Sequence, residues 1–121
     1  MTLISLLRIK DILANIIDGD TDNSLNAAFK FKLLRIVATI DPVAKTYEDV
    51  KNQKIMQYGT ADEEGNVSIA PNTPEHENFV KDITEVLNDE VDLTLPKLKA
   101  EDVFKYFKTN SLVDLIDIIE E

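Results

Sequence analysis

Apolar side chains recur at intervals of three and four residues through residues 3–17, and this spacing is typical of an amphipathic helix. The apolar stripe consists of Leu6, Ile9, Leu13 and Ile16. The following Asp-Gly-Asp-Thr-Asp-Asn at residues 18–23 ends this helix, because glycine, asparagine and aspartate favour turns. Asn23 or Ser24 can then cap a second helix with apolar residues from Leu25 to Ile40. We therefore expect an antiparallel helical hairpin with a short acidic loop.

Asp41-Pro42 marks a boundary within the second helix. The residue before a proline is disfavoured in the helical region, and proline is favoured at the first position of a new helix. The helix is therefore predicted either to kink at this point or to restart there. In both cases we expect it to continue to about Tyr58 and to end at Gly59.

The second half of the chain combines short strands with a further amphipathic helix. Residues 62–66 are predicted to form a turn, and the alternation at Val67–Ile69 suits an edge strand or a hairpin arm. Val91–Leu95 shows the alternation of a half-buried strand, which can pair with Val67–Ile69. Thr73-Pro74-Glu75 predicts a helix start, with a hydroxyl cap, a proline at the first position and acidic residues near the positive end of the helix dipole.

Two short helices are predicted at the C-terminal end, over Glu101–Phe107 and Leu112–Ile119, the second capped by Asn110 or Ser111. The predicted fold is α+β and mostly helical. It combines an N-terminal antiparallel helical hairpin, a further amphipathic helix, a small two-stranded β element and two short C-terminal helices. A chain of 121 residues suits a single domain, so residues 1–121 are predicted to share one core.

Composition excludes several classes of function. The chain has no cysteine, which excludes disulfides, thiolate nucleophiles and cysteine-based metal sites, and its single histidine excludes a histidine pair. The net charge of −10 argues against direct nucleic-acid binding, which needs a basic surface. Arg8 and Lys10 interrupt the apolar N-terminal stretch before it resembles a secretory signal, and no segment is apolar enough to span a membrane. We expect a cytoplasmic protein.

Three aspartates in the first loop raise the question of a metal. Asp18, Asp20 and Asp22 have the spacing of the first ligands of a helix–loop–helix calcium site. Two requirements of that site fail, because the sixth position is Asn23 instead of glycine and the twelfth is Phe29 instead of a bidentate glutamate. We expect a solvated turn and no resident cofactor, with calcium at the three aspartates as the alternative.

No constellation of residues predicts catalysis. His76 has no cysteine or serine elbow with which to form a nucleophilic site, and the three glycines do not form a phosphate-binding loop. Carboxylates are abundant, but the chain lacks tryptophan and its five phenylalanines lie mostly at core-like spacing, so no aromatic platform for a sugar is evident. We expect that the protein is not an enzyme and has no catalytic residues.

The charge is concentrated in the second half of the chain. Residues 1–60 carry eight basic and seven acidic side chains, for a net charge of +1, whereas residues 61–121 carry five basic and sixteen acidic ones, for a net charge of −11. The clusters predicted to bind a partner are Asp62, Glu63 and Glu64, and Asp89, Glu90 and Asp92. Such a field can dock on a basic groove of another protein; alternatively, it forms a solvated surface that maintains solubility.

Several short motifs follow one another from about Asn23 onward. They are Leu-Asn-Ala-Ala at residues 25–28, Tyr-Gly at 58–59, Asp-Glu-Glu-Gly-Asn-Val at 62–67, Leu-Asn-Asp-Glu-Val-Asp-Leu-Thr-Leu-Pro at 87–96 and Leu-Val-Asp-Leu-Ile at 112–116. Their order resembles a family of small uncharacterised proteins of tailed phages and prophages. The resemblance implies a phage context and no assigned activity.

In that context two functions are open. The first is a host-directed inhibitor, anti-defence and in the manner of an anti-CRISPR protein, whose acidic half docks on the nucleic-acid-binding surface of a host enzyme. The second is a minor virion or assembly component that packs against phage structural proteins through its helical hairpin. Both partners are proteins, and neither function requires direct contact with nucleic acid or membrane.

Overall fold

A computed structural model describes residues 1–22, 24–107 and 111–120, and it has the predicted α+β, mostly helical fold. Within these residues the helices are α1 (Leu3–Asp18), α2 (Ala27–Tyr58), α3 (Pro74–Leu87), α4 (Ala100–Tyr106) and α5 (Leu112–Leu115). The strands are β1 (Thr60–Ala61), β2 (Val67–Ser68), β3 (Leu98–Lys99) and β4 (Ile119–Glu120). No helix of the described part combines the length and the apolar character needed to cross a membrane.

Helices α1 and α2 form the predicted antiparallel hairpin. Two ion pairs fix their register, with Lys30 bound to Asp20 beside the loop and Lys10 bound to Asp41 further along. The predicted cap Ser24 is wrong, and Asn23 lies outside the described residues. Asn26 caps α2 instead, because its side-chain oxygen accepts hydrogen bonds from the first free amides of the helix, those of Ala28 and Phe29.

Helix α2 continues through Pro42 without restarting and extends over 32 residues, a length of about 48 Å. Proline has no amide to donate to the carbonyl four residues earlier, at Ala38. Ala38, Asp41 and Pro42 are all exposed, so water can satisfy that carbonyl. The position of Pro42 on the solvent side therefore explains how the helix tolerates it.

The predicted pairing of Val67–Ile69 with Val91–Leu95 is wrong. Strand β2 pairs antiparallel with β1, which the sequence did not indicate, and residues 91–95 are not in a strand. A five-residue connection joins β1 to β2, so this pairing closes a much shorter loop than the predicted one. Val91 instead donates its amide to the carbonyl of Met1, and Glu90 forms an isolated bridge with Thr2.

The C-terminal prediction is right in its first half only. Helix α5 ends at Leu115 and is followed by a 3-10 turn at Ile116–Ile118 and by β4, which pairs parallel with β3. The predicted cap Asn110 lies outside the described residues, and Ser111 occupies the cap position without a side-chain hydrogen bond. Pairing with β3 therefore replaces the last helical turn that the apolar spacing predicts.

The hydrophobic core is confined to one part of the molecule. Its buried side chains come from α1, from the first half of α2 and from residues 95–118. They are Leu6, Ile9, Leu13, Phe29, Leu33, Ile36, Ile40, Leu95, Leu98, Val103, Phe107, Leu115 and Ile118. Residues 45–87, which we call the arm, comprise the rest of α2, the β1–β2 hairpin and α3, and only Ile83 is buried among them.

Candidate partner-binding surface

The carboxylate of Asp20 organises the loop between α1 and α2. Its side chain is 1% exposed and binds Lys30 Nζ at 3.0 Å, while the Leu25 amide and the Ser24 hydroxyl donate to its other oxygen. Burial raises the pKa of Asp20, but the hydrogen bonds from Lys30, Leu25 and Ser24 outweigh it and leave the pKa below its ordinary value. Asp20 therefore acts as a structural anchor for the start of α2.

The three loop aspartates do not converge in the structure. Asp22 accepts a hydrogen bond from the Ser24 amide, and Asp18 is the exposed last residue of α1. No group of three or more histidine, aspartate or glutamate side chains is placed to hold a metal ion among the described residues. A calcium ion in this loop stays a hypothesis, and it would compete with Lys30, Leu25 and Ser24 for the carboxylate of Asp20.

Asp62, Glu63 and Glu64 lie together in the turn between β1 and β2, where all three are exposed. Asp62 maintains the turn, because its carboxylate accepts hydrogen bonds of 2.9 Å from the amides of Glu64 and Asn66. Gly65 has a positive φ of 86°, which a side chain would disfavour. The carboxylates of Glu63 and Glu64 are therefore the two of this cluster that can meet a partner without disturbing the turn.

Asp89, Glu90 and Asp92 are exposed in the segment that follows α3. This segment is attached to the start of α1, since the Leu3 amide donates to the Asp89 carbonyl at 3.0 Å and the Met1 amino group contacts the Glu90 carboxylate at 2.9 Å. The backbone is thus fixed by hydrogen bonds, while the carboxylates of Asp89 and Asp92 face solvent.

The two predicted clusters belong to different elements. The first lies in the turn between β1 and β2, and the second directly follows α3, a 14-residue helix about 21 Å long. Three further exposed carboxylates, Glu75, Glu77 and Glu85, lie on α3 between them. Exposed carboxylates thus occur on three consecutive segments of the chain, namely the hairpin turn, α3 and the segment after α3.

Few of these carboxylates are neutralised within the molecule. In the part of the chain that the structure describes, the acidic residues beyond position 60 form two ion pairs, Asp82 with Lys54 and Glu90 with the Met1 amino group. The exposed clusters otherwise lack a lysine or arginine partner among those residues. We call the exposed carboxylates of residues 62–92 the acidic surface.

One polar contact attaches α3 to α2. The Tyr58 hydroxyl donates to the Asp82 carboxylate at 2.8 Å, and Lys54 lies 3.4 Å from the same oxygen. The hydrogen bond from Tyr58 lowers the pKa of Asp82, helped by the charge of Lys54, while the bond to Asp82 raises the pKa of Tyr58. This contact is structural, and it was not apparent from the sequence because its members are 24 residues apart.

A second surface was missed because the first half of α2 is apolar on both faces. Phe29, Leu33, Ile36 and Ile40 enter the core, whereas Phe31 is 62% exposed and Leu34 is 46% exposed. The exposed face consists of Ala27, Phe31, Leu34 and Ala38, spaced four, three and four residues apart, and we call it the α2 stripe. Large apolar residues on a second face of a helix are a signal of this kind. Phe104 is also exposed, so the core-like spacing of phenylalanines was misleading at two positions.

His76 lies in the first turn of α3, where its backbone amide donates to the Thr73 hydroxyl as the predicted cap requires.

The chain matches no protein-family model, and no match was found among curated proteins or solved structures. What the acidic surface does is therefore inferred from its own residues.

Proposed function

We propose that this protein is a non-enzymatic inhibitor that binds another protein, and that its partner is a host enzyme with a basic nucleic-acid-binding surface. The observation that supports the proposal is the acidic surface, whose carboxylates are exposed and largely lack cationic partners in the described residues. Charges that are not satisfied internally can be satisfied by a partner. The phage context, and with it action in the host cytoplasm, follows from the motif resemblance described above.

The dimensions of the acidic surface suit the replacement of nucleic acid. Helix α3, which carries its carboxylates Glu75, Glu77 and Glu85, is about 21 Å long, which corresponds to roughly six base pairs at 3.4 Å each. A basic channel that tracks phosphates over that distance would meet carboxylates instead. Binding of this kind accelerates association and depends steeply on salt.

The proposal is tested by affinity capture of the full chain from infected or lysogenic host cells, with mass spectrometry of the bound proteins. Recovery of a nuclease or another nucleic-acid enzyme is expected, and the purified pair should associate more slowly as salt increases. Recovery of phage structural proteins alone would contradict the inhibitor function. An association rate that does not change between low and high salt would contradict the electrostatic docking.

Charge reversal should reduce the association rate only where the acidic surface is altered. The test variants are Glu63→Lys with Glu64→Lys, and Asp92→Lys, because these side chains have no hydrogen bond or ion pair in the described structure. Asp62 is avoided since it maintains the turn. Asp11→Lys is the matched control, because Asp11 is an exposed carboxylate on α1, outside the acidic surface.

The second candidate, a virion or assembly component, is favoured by the α2 stripe. An exposed row of apolar residues on a long helix suits packing against another subunit. The protein would then occur in stoichiometric amounts in purified particles. Phe31→Ser should prevent its incorporation, and the Glu63→Lys, Glu64→Lys variant should not; the inhibitor function predicts the opposite sensitivity in the binding assay.

A further inference from the structure

An apolar groove lies beside the acidic surface, at the junction between the core and the arm. Its walls come from the start of α1, from α2, from the end of α3 and from the segment that follows α3. The apolar residues that line it are Leu3, Val43, Tyr47, Val50, Val86 and Val91. Asp89 is the charged residue of this lining. In the described part of the chain, no basic residue lines the groove.

The size of the groove favours a side chain over a small-molecule ligand. Its volume is about 220 Å³, whereas pockets for drug-sized ligands occupy roughly 300–1,000 Å³. A groove of that size accommodates one large apolar side chain. Interfaces between proteins often concentrate their binding energy in such anchors, which displace poorly held water from an apolar pocket.

The charge at the rim determines which partner fits. Asp89 and the neighbouring Asp92 are exposed acids, and Glu90 lies between them. A second copy of this chain is a poor occupant, because each copy carries a net charge of −10. A segment with lysine or arginine beside an apolar residue satisfies both the rim and the groove.

We propose that this groove receives one aliphatic or aromatic side chain of the protein partner, and that an adjacent lysine or arginine of the partner pairs with Asp89. The inference builds on the proposed function, because the acidic surface would attract the basic partner and the groove would retain it. Electrostatic attraction mainly sets the association rate, whereas a buried anchor mainly slows dissociation. The groove thus gives the acidic surface a selectivity that charge alone does not provide.

The test uses the full chain labelled with ¹⁵N and two blocked pentapeptides as probes. One peptide has phenylalanine at its centre and two lysines on each side, and the other has alanine at its centre. The phenylalanine peptide is expected to bind about tenfold more tightly and to shift the amide signals of Tyr47, Val86 and Val91. Asp89→Asn should weaken its binding without changing the fold of the chain.

Val50→Phe should fill the groove and reduce the advantage of the phenylalanine peptide to less than about twofold. Val80→Phe is the matched control, because Val80 is an exposed valine of the arm outside the groove. Equal affinity of the two peptides would overturn the groove inference while leaving the charge-based function intact. Absence of binding by either peptide at millimolar concentration would also overturn it, and the capture experiment would then decide the proposed function separately. Should Val50→Phe fail to fold, the two peptides and Asp89→Asn still decide the question.

Discussion

The core and the arm are built from the same long helix and are stabilised in different ways. In its first half, α2 packs Leu33, Ile36 and Ile40 at 0% exposure against α1 and the C-terminal elements. In the arm the same helix packs against α3 and the β1–β2 hairpin, and Ile83 at 9% exposure is the most buried apolar residue described there. The arm buries a single side chain, that of Ile83, and therefore encloses no core of its own. Most carboxylates of the acidic surface lie on the arm, and Asp89, Glu90 and Asp92 directly follow it.

The largest expected difference between the two regions concerns truncation of buried isoleucines. Ile36→Ala should lower the free energy of unfolding by about 2–5 kcal/mol, because it leaves a cavity in a fully enclosed site. Ile83→Ala should cost only about 1–2 kcal/mol, since its surroundings are half-exposed and can relax. Urea unfolding followed by circular dichroism measures both values. Equal losses would show that the arm is packed as tightly as the core.

The sequence predicted those features of the core and the arm that depend on local signals, such as the ends of helices. Thr73 and Pro74 start α3 and Gly59 follows the end of α2, because capping is decided within one helical turn. Strand β1 was not predicted, since Thr60–Ala61 is too short to show an alternating pattern. Pro42 was ambiguous until its position on the solvent side was known.

For the candidate site, too, the sequence predicted only what depends on local signals. The exposure of the acidic clusters was implied by composition and turn residues, as for Glu63 and Glu64. The roles of Asp20 and Asp62 as backbone acceptors were not apparent, because carboxylates that bind a partner and carboxylates that maintain a turn look alike in a sequence. The groove beside Asp89 joins four segments from residue 3 to residue 91, and no local pattern predicts such a combination.

A smaller effect should appear where the arm depends on the Tyr58–Asp82 contact. The folded-state pKa of Asp82 is lowered, so its contribution is present above the unfolded value of about 3.9 and is lost as the pH falls through the folded value. The pKa of Tyr58 is raised, so its contribution is present below about 10 and is lost as the pH rises through the folded value. The Tyr58–Asp82 contact should therefore stabilise the arm most at pH values between these two limits.

Methyl NMR can separate this effect from global unfolding. In Asp82→Asn at neutral pH, the Ile83 and Val86 signals should move towards their unfolded positions while the Ile36 signal stays unchanged. Tyr58→Phe should produce a smaller change in the same direction, because it removes the hydrogen bond but keeps the Lys54 pair. Matching changes at Ile36 would mean that core and arm unfold as one unit, and the distinction between them would then fail.

The smallest expected effect concerns the turn between β1 and β2. It distinguishes a carboxylate that maintains the turn from one that is free to contact a partner. Asp62→Ala should remove two hydrogen bonds from the turn, lowering the protection of the Asn66 amide against exchange severalfold and leaving the global stability within about 1 kcal/mol. Glu63→Ala should leave that amide unchanged, because the Glu63 side chain is exposed at the turn and has no hydrogen bond in the described structure. Amide exchange measured at a single pH compares the two variants directly. Equal protection in both would mean that Asp62 is as dispensable to the turn as Glu63, and all three carboxylates of the turn would then be free to meet a basic partner.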